Sequence, residues 1–441
     1  MSAGKAPADE AVEILREYLR FDTTNPPGNE EPAARFLADV LESAGIHTEL
    51  RSSAPGRTSL VARIEGRSDD RSTALALLNH IDVVPADPSE WSVDPFGAEE
   101  RDGCLWGRGA IDMKGMGVMQ LATMLSLARN TTPLQRDVVF IAVADEEAGG
   151  LMGAGFLAEK HPDLIACADV LNEGGYGMAS NRPPMFACTL SEKAIRWVRL
   201  HAHGTPGHAS VPPDSSERAI DQLLAALDVL RRHPPRLRVS PLVERTFRAL
   251  AGKSGPVRRK ILETICNPLA EPLLPLLARQ MGGHARSLLS DVVTVTRLDA
   301  GYKENVVPGS ATATLDCRLL PDTDPDAFLA TLEERVAPHG VTVEVIFADD
   351  PQGVSDGPLL PVLESACNHA FPDVAFVPTL CPAFTDSRFF RSLGADAYGL
   401  VPVMLSDVEL ATFHGIDERI PIAGFRKGCE VVSDIVHRAC A

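Results

Sequence analysis

Residues Leu77 to Pro85 read LLNHIDVVP and overlap an apolar run, Ala74 to Leu78, with the character of a buried strand. The run delivers a histidine and an aspartate, two positions apart, onto the loop where that strand should end. His80 can bind a metal through one ring nitrogen while Asp82 fixes the other, which sets the tautomer and raises the ligand's basicity. An isolated H-x-D pair is more often structural. The metal reading therefore depends on further ligands elsewhere in the chain.

Other expected strands end in the same way. Asp137 to Ala144, DVVFIAVA, reads as a central strand buried on both faces and runs into Asp145-Glu146-Glu147. Adjacent carboxylates there repel unless a cation neutralises them. Successive side chains on a strand point opposite ways, so one glutamate can ligate while its neighbour faces an attacking water. The bland alternative is a solvated acidic turn. Ala166 to Leu171 is another short apolar strand, ending in Asn172-Glu173-Gly174-Gly175.

The stretch Leu105 to Gly117, LWGRGAIDMKGMG, precedes a helix expected over Lys114 to Ala128. It is not a phosphate-binding loop, because Asp112 stands where the third glycine of G-x-G-x-x-G belongs and P-loop spacing is absent. The glycines instead let the backbone approach a neighbour closely while Asp112 points inward. Its two oxygens can bridge two cations. His414, in ATFHGIDERIP before the last expected helix, is the natural closing ligand. His80, Asp82, Asp112, Glu146, Glu147 and Glu173 thus fall at or just after expected strand ends, where open α/β sheets bind ligands. Histidines and carboxylates without cysteine suit a hydrolytic Zn²⁺ site, with Co²⁺ or Mn²⁺ as alternatives.

Composition narrows the partners. A chain of 441 residues, 45% of them hydrophobic, can bury the core of two or three domains or of one divided domain. The net charge of -18 argues against nucleic acid and anionic membranes, which need clustered Lys and Arg. A local pocket can still be basic. The nine cysteines include no C-x-x-C pair and read as reduced thiols. The N-terminus reads without a signal-peptide apolar segment, and no apolar run reaches membrane-spanning length. The expectation is a cytoplasmic protein with no nucleic-acid and no membrane partner.

Taken in order from residue 77 to 421, LLNHIDVVP, WGRGAIDMKG, ADEEAGG, LNEGG, HGTPGHAS, ENVVPG, FTDSRFFR and FHGIDERIP resemble the zinc metallohydrolase superfamily of aminoacylase, carboxypeptidase S, acetylornithine deacetylase and succinyl-diaminopimelate desuccinylase. The resemblance implies two zinc ions, one held by His80 and Glu173, the other by Glu147 and His414, with Asp112 bridging. It implies that Asp82 orients His80, that Glu146 is the general base, and that the Asp112–Met113 peptide is cis. It also implies that His208 stabilises the oxyanion, in dimeric relatives that of the partner subunit. Asn305 and Arg388 would contact substrate, Arg388 holding a free carboxylate by bidentate hydrogen bonds.

The expected fold is α/β. A mixed-sheet, zinc exopeptidase-like catalytic domain (1–190 and 351–441) is interrupted by a ferredoxin-like α+β lid (191–350). Alternating strand and helix patterns between Ile195 and Phe347 agree with such a lid. The Leu-rich stretch 241–290, a departure from shorter relatives, reads as a helical insertion packing on the lid. The implied activity is hydrolysis of an amide joining an acyl or peptidyl group to an amino acid with a free carboxylate. A dipeptidase or small-metabolite deacylase on the same metals is the alternative. A catalytically inactive zinc-binding relative is disfavoured, because the base and all five ligands are present. A homodimer through the lid is expected.

Overall fold

The computed structural model describes residues 7–129, 133–276, 283–350 and 352–441. Positions 1–6 of the N-terminal segment, 277–282 of the expected insertion and 351 at the expected return to the catalytic domain lie outside the described residues.

After two amphipathic helices, Pro7–Leu19 and Glu31–Ser43, the chain forms β1 (Thr48–Ala54), β2 (Arg57–Ile64) and β3 (Leu75–His80). Two short strands follow, β4 (Glu99–Arg101) and β5 (Cys104–Trp106). Then come the helix Lys114–Arg129, β6 (Val138–Val143), β7 (Asp169–Met178) and β8 (Met185–Glu192). Beyond Lys193 lie β9 (Ala194–His203), β10 (Gly207–His208), β11 (Val292–Ala300), β12 (Val306–Val307), β13 (Ser310–Leu319) and β14 (Val341–Ala348). The chain ends with β15 (Ala375–Cys381), β16 (Asp396–Leu405), β17 (Arg419–Pro421) and the helix Ile422–Cys440.

The main sheet has the order β1-β2-β6-β3-β7-β16-β8-β15. It is mixed: β3 runs parallel to β6 and β7, and β16 to β7, while β1, β2 and β6 pair antiparallel. Every residue of β3 and β6 is buried, which is why both read as unbroken apolar runs. Each buried Val, Leu or Phe there contributes about 1.5–3 kcal/mol. A small sheet, β17-β5-β4, pairs Arg419 with Trp106 and so returns the segment carrying His414 to the loop carrying Asp112.

The second body is a four-stranded antiparallel sheet of order β11-β13-β9-β14. The helices Ala219–Arg232 and Pro325–Val336 cover one face, packing Leu223, Ala226, Leu332 and Val336 on Val198, Leu200, Ala313 and Leu315. The opposite face of β9 carries Trp197, Arg199, His201 and His203, as period-two alternation requires.

The helical insertion departs from expectation. Its helices Pro241–Gly252 and Pro256–Ile265 share a core of Val243, Phe247, Leu262 and Ile265. Among the described residues the first of them packs along β15 of the main sheet, where Thr246 Oγ1 donates to Pro378 O at 2.7 Å, and the second packs on the first. β15 is the outermost strand of the main sheet, and covering such an edge removes a row of unpaired backbone groups from solvent. Among the described residues no helix is long and apolar enough to cross a membrane.

Candidate metal centre

Among the described residues, two groups of side chains place ligand atoms within 4.8 Å of one another: His80, Asp112 and Glu173, and Asp112, Glu147 and His414. Asp112 is common to both. Its Oδ1 lies 3.1 Å from His80 Nε2, and its Oδ2 lies 2.8 Å from His414 Nε2. Glu173 Oε1 is 3.6 Å from His80 Nε2, and Glu147 Oε2 is 3.5 Å from His414 Nε2. Each histidine therefore faces its own carboxylate and one oxygen of the shared aspartate.

The elements that deliver these groups differ in detail from the sequence reading. His80 ends β3 as expected. Glu173 lies inside β7, four residues from its start, rather than after it. Pairing of β7 with β3 stops at Leu171, and β7 continues against β16. Gly399 of β16 presses on the Glu173 backbone, where a Cβ would come within 2.2 Å of Glu173 O. Glu146 and Glu147 lie on a 3-10 turn, Glu146–Ala148, not on an extended strand. Asp145, at φ +74°, breaks the strand direction ahead of them. The turn still separates the two glutamates: Glu147 joins a triad and Glu146 stands outside both. The Asp112–Met113 peptide is cis.

Asp82 acts differently from the expectation. His80 Nδ1 meets the backbone carbonyl of Asp82 at 2.9 Å, while the carboxylate Oδ1 is 3.7 Å away. A carbonyl only accepts, so Nδ1 carries a proton, and Nε2 is the ring nitrogen turned toward the carboxylates. The Asp82 carboxylate instead accepts from the backbone N–H groups of Glu146 and Glu147, both at 3.1 Å, and from Asn25 Nδ2 at 2.8 Å. It thereby fixes the acidic turn.

Electrostatics mark the cluster as short of positive charge. Burial, then the Glu173 charge, pushes Glu146 well above the usual carboxylate range. Burial, with Asp112 beside it, raises Glu173 to about 8. Hydrogen bonds from His414 to Asp112 and Glu147 raise His414 to about 10. Asp112 alone is held low: burial opposes this, but its hydrogen bonds to both histidines outweigh it. A divalent cation among these groups inverts that balance. Glu147 Oε1 is buried without a hydrogen-bond partner, the state of an acceptor built for a cation. Two imidazoles and three carboxylates, with no thiolate, suit a hydrolytic divalent metal pair.

The remaining expected residues lie apart from the triads. His208 is exposed on β10, which pairs with β12 beside Asn305. Its Nδ1 accepts from Ser210 N at 3.2 Å, so Nε2 carries the proton and can donate outward. Arg388 is 4% exposed, donates Nη2 to Gly149 O beyond the acidic turn, and stacks 4.6 Å from both Phe384 and Phe389. Its Nη1 makes no hydrogen bond, with Asp349 Oδ2 nearest among carboxylates at 3.6 Å.

Sequence reasoning gave no role to Glu418, although it lies inside FHGIDERIP. Its fully buried carboxylate accepts from the N–H groups of Gly109, Ile111 and Asp112 at 2.9, 2.7 and 3.0 Å, and from Arg108 Nη1 at 2.7 Å. No local pattern announces it, because its partners lie more than 300 positions upstream. Asp386 was likewise unassigned; burial raises its carboxyl to about 8, against the lowering pull of Arg388.

Comparison with known proteins agrees with this geometry. A family model described as "Peptidase family M20/M25/M40" matches residues 76–438. The N-fatty-acyl-amino acid synthase/hydrolase PM20D1 of Bos taurus is 31% identical over 417 residues, covering 89% of this chain and 79% of its own length. Aminoacylase-1 of Homo sapiens is 27% identical over 446 residues, covering 98% and 96%. The M20 family metallo-carboxypeptidase Sso-CP2 from Sulfolobus solfataricus matches the fold with a TM-score of 0.70 at 20% identity, over 97% of this chain and 98% of that one. With two histidines and three carboxylates gathered around a shared aspartate, and a family match spanning most of its length, the chain belongs to peptidase family M20/M25/M40 and is a metal-dependent amide hydrolase.

Proposed function

We infer that the protein hydrolyses the amide bond between an acyl or peptidyl group and an amino acid with a free carboxylate. The observation that carries this reading is the sharing of Asp112 between two ligand triads, with Glu146 buried just outside both. His80 and Glu173 would hold one zinc ion, Glu147 and His414 the other, and Asp112 both. Such a metal pair supplies acidification of water toward neutral pH and polarisation of a carbonyl.

The chain's own residues do the rest. Glu146 takes the proton of the attacking water and returns it to the leaving nitrogen, acting first as base and then as acid. Asp82 holds the Glu146 and Glu147 backbone, so the base keeps its aim on the reacting centre. Arg388 receives the substrate carboxylate on its unpaired Nη1, displacing Asp349. His208 donates from Nε2 to the developing oxyanion, and Asn305 lies beside it as a further contact. Residues 191–350 act as a lid and as the surface of a homodimer in which His208 serves the partner subunit's site. A cytoplasmic location fits the reduced cysteines.

The test is metal content of the purified protein, together with amino-acid release from N-acyl amino acids and dipeptides before and after chelation. About two zinc ions per chain, with chelator-sensitive release, is the expected result. The better class of substrate separates amidase from dipeptidase. Turnover that survives complete metal removal would sink the reading.

A further inference from the structure

Where the two bodies meet, an aromatic wall runs from the acidic turn to solvent. Trp197 lies on the uncovered face of β9 and is 40% exposed, whereas Trp91 and Trp106 are each 8% exposed. Phe347 of β14 is paired directly opposite Trp197, with ring centroids 5.2 Å apart at 43°. A register shift between Val345 and Phe347 makes this pair. Regular alternation from the Val345–Val198 pair would set Ile346 against Trp197, and the extra residue brings Phe347 there instead. Bulges of this kind re-aim a side chain.

Phe347 is also 6.0 Å from the guanidinium carbon of Arg388, which Phe384 and Phe389 flank more closely. Through Gly149 the same guanidinium is tied to the turn carrying Glu146 and Glu147. Carboxylate and side chain of an amino acid branch from one Cα. A substrate carboxylate on Arg388 therefore leaves its side chain beside Phe347, with Trp197 next in line. Large aromatics left open to solvent beside a binding group are an apolar surface awaiting a partner.

We propose that Trp197 and Phe347 form the side-chain subsite for the amino-acid half of the substrate and select a bulky apolar residue there. The inference rests on the reading of Arg388 as the carboxylate anchor. A phenyl or branched aliphatic side chain stacks on the pair, while a glycine or alanine leaves it wet. The acyl half lies on the other side of the scissile bond, so this selection is independent of acyl length.

The experiment compares kcat/KM for N-acetyl-L-phenylalanine and N-acetylglycine. The wild-type ratio is expected to favour phenylalanine, and Trp197→Ala to lower that ratio roughly tenfold or more, through KM. Trp197→Phe should keep most of the ratio. A ratio unchanged in Trp197→Ala, or an equal loss on both substrates, overturns the subsite. Fluorescence gives a second readout that needs no turnover. Titration of the wild type with free L-phenylalanine should change tryptophan emission saturably, glycine should not, and Trp197→Phe should abolish the signal. A signal that persists in Trp197→Phe, or its absence in the wild type, also overturns the subsite. Hydrolysis of neither substrate would instead sink the amide-hydrolysis reading, with the fluorescence titration still deciding the subsite.

Discussion

Glu418 Oε1 accepts a hydrogen bond from the backbone N–H of Asp112 at 3.0 Å, across 306 positions of sequence. The side chain of the same aspartate meets both histidines, so a buried acid outside the triads holds the backbone of the shared ligand. Glu418→Ala would take the buried carboxylate from Arg108 and leave three buried N–H groups without their acceptor. The expected cost is about 3–5 kcal/mol of stability. Thermal unfolding should fall sharply, and metal content should fall with it at temperatures where the variant is still folded. Unchanged metal content and stability would remove Glu418 from this role.

Ligand removal should be graded. Asp112→Ala takes an oxygen from both triads and is expected to leave almost no bound metal after dialysis. His80→Ala and His414→Ala each disable one triad and should leave about one ion per chain. Elemental analysis of the three variants, with circular dichroism to verify folding, checks the pattern. Equal losses in all three would contradict two separable positions sharing one aspartate.

Glu146 belongs to neither triad. Glu146→Gln should therefore keep the metal content of the wild type while kcat drops by about 10²–10⁴. Paired metal analysis and steady-state kinetics decide it. Loss of metal in this variant would make Glu146 a ligand rather than a base.

Lys193, at the crossing between the two bodies, is 1% exposed and donates to Ser290 O at 2.6 Å. Burial lowers its ammonium from 10.5 to about 8. The unfolded chain thus holds this proton more tightly than the folded one, so folding stability rises as pH climbs from about 8 to 10.5. The gain is at most about 3–4 kcal/mol. Urea unfolding at pH 7.5 and 9.5, compared with Lys193→Met, isolates it. The wild type should gain on the variant at the higher pH; a constant difference would refute the effect.

Much of the site can be read locally. His80, Asp112, Glu147, Glu173 and His414 stand in short motifs beside apolar runs, and the fold gathers them within one cluster. Strand and helix periods act over a few residues, so the alternation of β9 and the unbroken apolar β3 and β6 are visible without coordinates. What could not be read was the identity of partners. The Asp82 carboxylate binds the acidic turn rather than His80 because the turn's N–H groups face it across 64 and 65 positions. Glu418 takes its meaning from a loop on another element, and the insertion from an edge strand more than 100 positions away. The meeting of Trp197 with Phe347 depends on one extra residue in β14 that no period reveals. Sequence by itself determined the elements and the chemistry of the ligand set, since both follow from local backbone preference and side-chain type. Tertiary structure alone decided which polar groups pair, because a hydrogen bond acts over about 3 Å in space whatever the separation along the chain.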